Sequence, residues 1–160
     1  MKTVQNFQEL GKEDRLSAGG KGGTLARLHQ AGYPVPDGFV VLPSAFDGKA
    51  LTPTARKAVI ENLEKLRGSN QQISFAVRSS ALAEDSALAS FAGEFETVLD
   101  VDTDQAVQHA ILQVHRSKEL ERVKAYSAAK GLDQDQEIAV VIQELVRADI
   151  SGILFTADPV

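Results

Sequence analysis

The sequence predicts an α+β domain, and three observations carry that expectation. Short apolar runs of strand length, FVVL (39–42), ISFAVR (73–78) and EIAVVIQELV (137–146), share the chain with segments of helical periodicity. Strands and helices mix without the regular strand–helix–strand rhythm of a doubly wound sheet. The chain has 160 residues, 43% of them hydrophobic, which is enough for the core of about one domain.

GGTLARLHQA (22–31) places Leu25, Leu28 and His29 at helical spacing, and Gly32 follows as a stop. YPVPDG (33–38) is a rigid turn, because its two prolines fix φ at alternate positions. FVVL then reads as a short buried strand. PTARKAVIENLEKLR (53–67) is an amphipathic helix: Pro53 suits the first turn, Val59, Leu63 and Leu66 share a face, and Gly68 ends it. ISFAVR alternates as a strand does. SSALAEDSALASFAG (79–93) has five alanines, four serines and no clear period, and it reads as a loop. ETVLDV (96–101) reads as a strand. A helix or broken helix spans about 103–129, with Ala106, Ile111 and Val114 inward and Val123 and Tyr126 later; Gly131 ends it. EIAVVIQELV and ISGILFTAD (150–158) are β-branched runs joined by Arg147-Ala148-Asp149, the pattern of a hairpin. There is no internal repeat.

Charge and composition narrow the function. The formal net charge is −5, so no overall basic field draws the chain to nucleic acid or anionic lipid. No cysteine is present, which removes disulfides, thiolate metal sites and thiol catalysis and suits a cytoplasmic protein. No apolar run approaches the roughly 20 residues of a membrane helix, and the opening MKTVQNFQEL lacks the apolar core of a signal peptide. The finish, ISGILFTADPV, reads as an interruption, so the chain is expected to be a piece of something longer.

Three stretches carry candidate chemistry. SAGGKGGTL (17–25) holds Lys21 between two glycine pairs, where the backbone is open to close approach and a following helix offers N–H groups to an anion. It is neither a Walker A loop, since Arg15 stands where the first glycine belongs, nor a dinucleotide fingerprint, since Leu25 takes the third glycine's place. A surface loop with a solvated lysine is the competing reading. In AVRSSALAED, Arg78 leaves a core strand with a planar fork of donors suited to phosphate oxygens, and Ser79 and Ser80 add hydroxyls. The competing reading pairs Arg78 internally with Glu84 or Asp85. In VVIQELV, Gln143 and Glu144 interrupt an apolar strand and alternate onto opposite faces, so that one faces a cleft; spare backbone groups of such a strand can read an adenine edge. An amphipathic edge strand is the competing reading. His29, His109 and His115 read as structural or surface residues.

Together, GGKGGTLARL, VPDGFVV, AVRSSALAEDSALASFAGEFETVLDV and VVIQELV with SGILFTADP resemble the N-terminal nucleotide-binding domain of the phosphoenolpyruvate synthase and pyruvate phosphate dikinase family. Rifampicin phosphotransferase carries a similar domain. The stretches occur in the family's order over nearly the whole chain, and the AVRSS…AED…SFAG…ET block is the most specific of them.

The resemblance implies an ATP-grasp-type fold, with residues 1–160 as the N-terminal portion of the nucleotide-binding domain. It implies ATP as ligand, Lys21 and Arg78 on its phosphates, Gly93 and Thr97 on the segment that approaches it, and Gln143, Glu144 and Leu145 along the adenine. The loop 79–92 would fold over the phosphates. Family members pass a phosphoryl group to a histidine on a separate swivelling domain and on to pyruvate or another acceptor, so the partners implied are downstream phosphohistidine and acceptor-binding domains. The family's Mg²⁺ ligands are expected beyond residue 160, which would leave this piece catalytically incomplete. The segment between VVLPSAF and SFAVRSS is shorter than the helical insertion of phosphoenolpyruvate synthase. A stand-alone nucleotide-binding or regulatory module and a rifampicin-type phosphotransferase are the alternatives.

Overall fold

A computed structural model describes residues 2–70, 72–81, 96–119 and 137–152. Five strands form one antiparallel sheet: β1 (Val4–Asn6), β2 (Gly38–Val41), β5 (Phe75–Ala81), β6 (Thr97–Val101) and β7 (Ile138–Glu144), in the order β1-β2-β7-β5-β6. A two-stranded ribbon, β3 (Phe46–Asp47) with β4 (Ala50–Leu51), precedes the second helix. Helix α1 (Gly19–Gln30) covers one face of the sheet, while α2 (Pro53–Arg67) and α3 (Asp104–Arg116) cover the other. The class is α+β, as expected.

Alternation along the strands sorts the core into two layers. Phe39, Val41, Phe75, Val77, Val140 and Ile142 pack against Ala55, Val59 and Leu63 of α2 and against Val107, Ile111 and Val114 of α3. Val40, Ala139 and Val141 point the other way and pack with Phe7, Leu10, Ala18 and Ala26. β7 lies between β2 and β5 and is buried from Ile138 to Gln143, which explains its unbroken apolar run.

The second helix forms where the sequence placed it. Thr52 caps it by accepting a hydrogen bond from the Ala55 amide (3.2 Å), Pro53 occupies the first turn, and Gly68 ends it at φ +47°. The C-terminal end of α2 is tied to α3 by Arg67. Its guanidinium is buried, pairs with the Asp104 carboxylate, donates to the Asp102 carbonyl (2.8 Å) and lies 5.6 Å from the Phe75 ring centre.

Two expectations need correction, and two more fall partly outside the described residues. The first helix begins at Gly19, so all four glycines around Lys21 lie inside it and not in a loop ahead of it. Ser79, Ser80 and Ala81 continue β5, because β7 offers Val140, Ala139 and Ile138 as pairing partners; the rest of the stretch expected as a loop lies outside the described residues, as do Glu84, Asp85 and Gly93. α3 stops at Arg116 and passes into a 3₁₀ turn, Ser117–Glu119, while Val123 and Tyr126 lie outside the described residues. The second arm of the hairpin expected across Arg147–Asp149 falls mostly on residues 153–158, outside the described residues. The end of β7 is already occupied on both sides, the Glu144 amide donating to the Asp37 carbonyl and the Leu145 amide to the Ser74 carbonyl (2.9 Å each), and residues 150–152 are not strand. Among the described residues, no helix is long and apolar enough to cross a membrane.

Candidate nucleotide-phosphate site

The first turn of α1 has poor helix formers, and it exists because the sheet holds it. Gly19 takes φ +71°, and a Cβ there would stand 2.5 Å from both the carbonyl oxygen and the Oγ of Ser80. Gly22 faces Val40 and Val141 so closely that a Cβ would meet their methyls at 3.3 and 3.4 Å. Ala18, at the N-cap position, offers no side-chain cap. The cap comes instead from β5: the buried Ser80 hydroxyl accepts the Gly22 amide (2.9 Å) and donates to the Ala18 carbonyl (2.7 Å). The Gly22 N–H expected to await an anion is thus already used. Gly19 and Gly22 serve helix-to-sheet contact.

This docking places Lys21. Its Nζ donates to the Ser79 carbonyl at 2.8 Å, one residue past the last pairing of β5 with β6 at Arg78. Arg78 shares a sheet face with Ser80 and therefore lies on the side covered by α1. Its cross-strand partner on β7 is Val141, the residue that Gly22 packs against, and its partner on β6 is Thr97. Lys21, Arg78 and Thr97 are thereby gathered at one corner of one face. Arg78 is the one half-buried position of the otherwise buried β5, and among the described residues its guanidinium has neither a hydrogen-bond nor an ion-pair partner. A guanidinium fork at that position is suited to an anion, while Glu84 and Asp85, its competing internal partners, lie outside the described residues.

The remaining sequence candidates are distributed differently. Gln143 lies on the α1 face, directly across from Ala76 and diagonal to Arg78, but its side chain is buried and its Nε2 donates to the Pro36 carbonyl (3.0 Å). It braces the YPVPDG turn and does not face a cleft. Glu144 falls on the opposite face, half-buried, and its carboxyl is raised above the ordinary range by burial and by Asp37. The expectation of spare donors here is also corrected: β7 is the central strand, and the Glu144 and Leu145 amides are already bonded. His29 Nε2 pairs with Asp37 Oδ1 (2.7 Å), His109 is exposed, and His115 is buried in a stack on Phe46. Sequence reasoning missed the clamp role of Ser80, because that contact spans 58 residues and depends on the docking of α1 onto β5.

A mixed α+β domain with two cations brought together on one sheet face is of a class suited to holding a multiply charged anion. The chain belongs to the family described as pyruvate phosphate dikinase, AMP/ATP-binding domain, whose model matches residues 42–160. Arg78 lies within that match and Lys21 before it. Similar proteins cover both. A probable phosphoenolpyruvate synthase of Methanothermobacter thermautotrophicus is 33% identical over 99% of this chain and 29% of its own length. A second, of Methanocaldococcus jannaschii, is 31% identical over 100% of this chain and 17% of its own length. A rifampicin phosphotransferase of Streptomyces sviceus is 32% identical over 98% of this chain and 22% of its own length. The chain thus spans less than a third of each of these relatives. The first alignment runs over 202 positions against a chain of 160, so that relative carries segments absent here.

Proposed function

We propose that this chain is the N-terminal portion of an ATP-grasp-type nucleotide-binding domain in a longer, cytoplasmic, dikinase-type phosphotransferase. ATP lies with its phosphates against Arg78 and Lys21. By the family resemblance, Thr97 and Gly93 border the phosphate end and the strand end at Gln143, Glu144 and Leu145 borders the adenine, Gln143 contributing there by bracing the turn at Pro36. The observation that carries this reading is the half-buried Arg78 guanidinium, unpartnered among the described residues, on the sheet face and at the corner where Lys21 is docked. Phosphoryl transfer asks the protein for alignment and for charge stabilisation on oxygens, and a guanidinium fork with an adjacent ammonium supplies both. A histidine on a downstream domain then accepts the phosphoryl group and passes it to pyruvate.

When bound, Mg²⁺ supplies further charge neutralisation between phosphates. By the family resemblance its ligands are assigned to chain beyond residue 160, and no step is derived through it. The relatives include enzymes named for different acceptors, phosphoenolpyruvate synthase and rifampicin phosphotransferase. The acceptor is separated by assaying the full-length protein with pyruvate and with rifampicin.

The test of the nucleotide reading is equilibrium ATP binding and turnover in full-length protein carrying Lys21→Ala or Arg78→Ala. Each loses a charge-assisted contact, about 1.5–3 kcal/mol, which is roughly a ten- to 150-fold loss of ATP affinity. Native affinity and turnover in both variants would reject the assignment.

A further inference from the structure

The clamp between α1 and β5 has a consequence for the site. We propose that Ser80 is a positioning residue for the nucleotide phosphates: its hydroxyl fixes the first turn of α1 on β5 and so holds the Lys21 ammonium beside Arg78. This rests on the reading of Lys21 and Arg78 as phosphate contacts.

The geometry leaves little slack. Ser80 has no solvent exposure, and its one hydroxyl is used in both directions, accepting from the Gly22 amide at 2.9 Å and donating to the Ala18 carbonyl at 2.7 Å. These two bonds bracket Lys21 in sequence. Lys21 Nζ then reaches the carbonyl of Ser79, the neighbour of the clamping serine, at 2.8 Å. The helix cannot supply this hold itself, because its N-cap residue is Ala18 and its opening residues are glycines. Gly19 is required for the same fit, since any Cβ would collide with Ser80 at 2.5 Å. A lysine side chain has several rotatable bonds, and the stem of Lys21 is aimed by where its helical turn sits. Ser80 lies on the same β5 face as Arg78, two residues on, so the hydroxyl that docks the turn also sets the spacing between the two cations.

The experiment is ATP affinity in full-length protein by calorimetric titration, with Ser80→Ala measured alone and in the Lys21→Ala background. Removing the clamp should weaken ATP roughly five- to tenfold when Lys21 is present, and less than about twofold when it is absent, because the serine acts through the lysine. A role in stability alone predicts the same factor in both backgrounds, and that result overturns the proposal. So does unchanged affinity of Ser80→Ala while Lys21→Ala binds weakly. If Lys21→Ala itself binds normally, the phosphate assignment of Lys21 has failed, and the clamp proposal with it. Gly19→Ala provides a second route that leaves the hydroxyl intact. Its added methyl would stand 2.5 Å from the Ser80 carbonyl oxygen and Oγ at a φ of +71°, so it displaces the same turn. Its ATP loss should likewise depend on Lys21, and a loss independent of Lys21, or none, counts against the proposal whether or not Ser80→Ala folds.

Discussion

His115 shows how a single residue couples burial to pH. Its ring is 4% exposed and stacks on Phe46 with 3.7 Å between centres and 4° between planes. Its Nδ1 is buried and makes no hydrogen bond among the described residues. Burial, with Lys118 adding to it and Glu119 opposing, lowers its pKa from 6.5 to about 4. A base with a depressed pKa binds fewer protons when folded, so its contribution to stability is whole above about 6.5 and declines as pH falls toward 4. His115→Phe should therefore flatten the dependence of Tm on pH between 4 and 6.5, as read from thermal melts. Equal slopes for the two proteins would mean that His115 is not the group responsible. At this scale the sequence was informative where a residue contradicts its surroundings. Arg78 was visible because a guanidinium interrupts buried neighbours. Ser80 was not, since an alanine-rich, serine-rich stretch gives no sign of which hydroxyl meets a distant helix.

Element boundaries were legible where local chemistry sets them. α2 runs from Pro53 to Arg67 because Thr52, Pro53 and Gly68 each act within their own turn, and those signals lie in the sequence itself. Thr52→Ala should cost about 0.5–2 kcal/mol by removing the acceptor for the Ala55 amide; chemical denaturation should show a lower midpoint with an unchanged slope. A midpoint within error of the parent would mean that Pro53 and packing start the helix without the cap. α1 is the opposite case. Four glycines in its first five residues argue against helix by propensity. Tertiary contact overrides that preference: small residues let the turn lie against Val40, Val141 and Ser80.

At the scale of the whole molecule, strand order is the feature the sequence conceals. A buried central strand and a buried run elsewhere look alike in periodicity, and β7, the last strand of the described chain, inserts between β2 and β5, which come long before it. Without β7 the sheet reduces to two pairs, β1 with β2 and β5 with β6, and isolated two-stranded units are marginal in water. Folding therefore requires a late segment to be placed between two early ones. The site depends on the same insertion, since Val141 of β7 is at once the cross-strand partner of Arg78 and the surface on which Gly22 rests. Proline tests this placement, because it removes a ladder donor and is tolerated at sheet edges but not at centres. Val141 pairs with Val40 on one side and Arg78 on the other, so Val141→Pro in the full-length protein should abolish the cooperative transition of this domain. Leu99 lies on the edge strand β6, is 59% exposed, and falls where the pairing of β5 with β6 shifts register, so Leu99→Pro should keep that transition. Similar melting of the two variants would show that β7 is not the strand that joins the halves of the sheet. The cation corner would then rest on the direct contacts of α1 with β5 alone, those of Ser80 with Gly22 and Ala18 and of Lys21 with the Ser79 carbonyl.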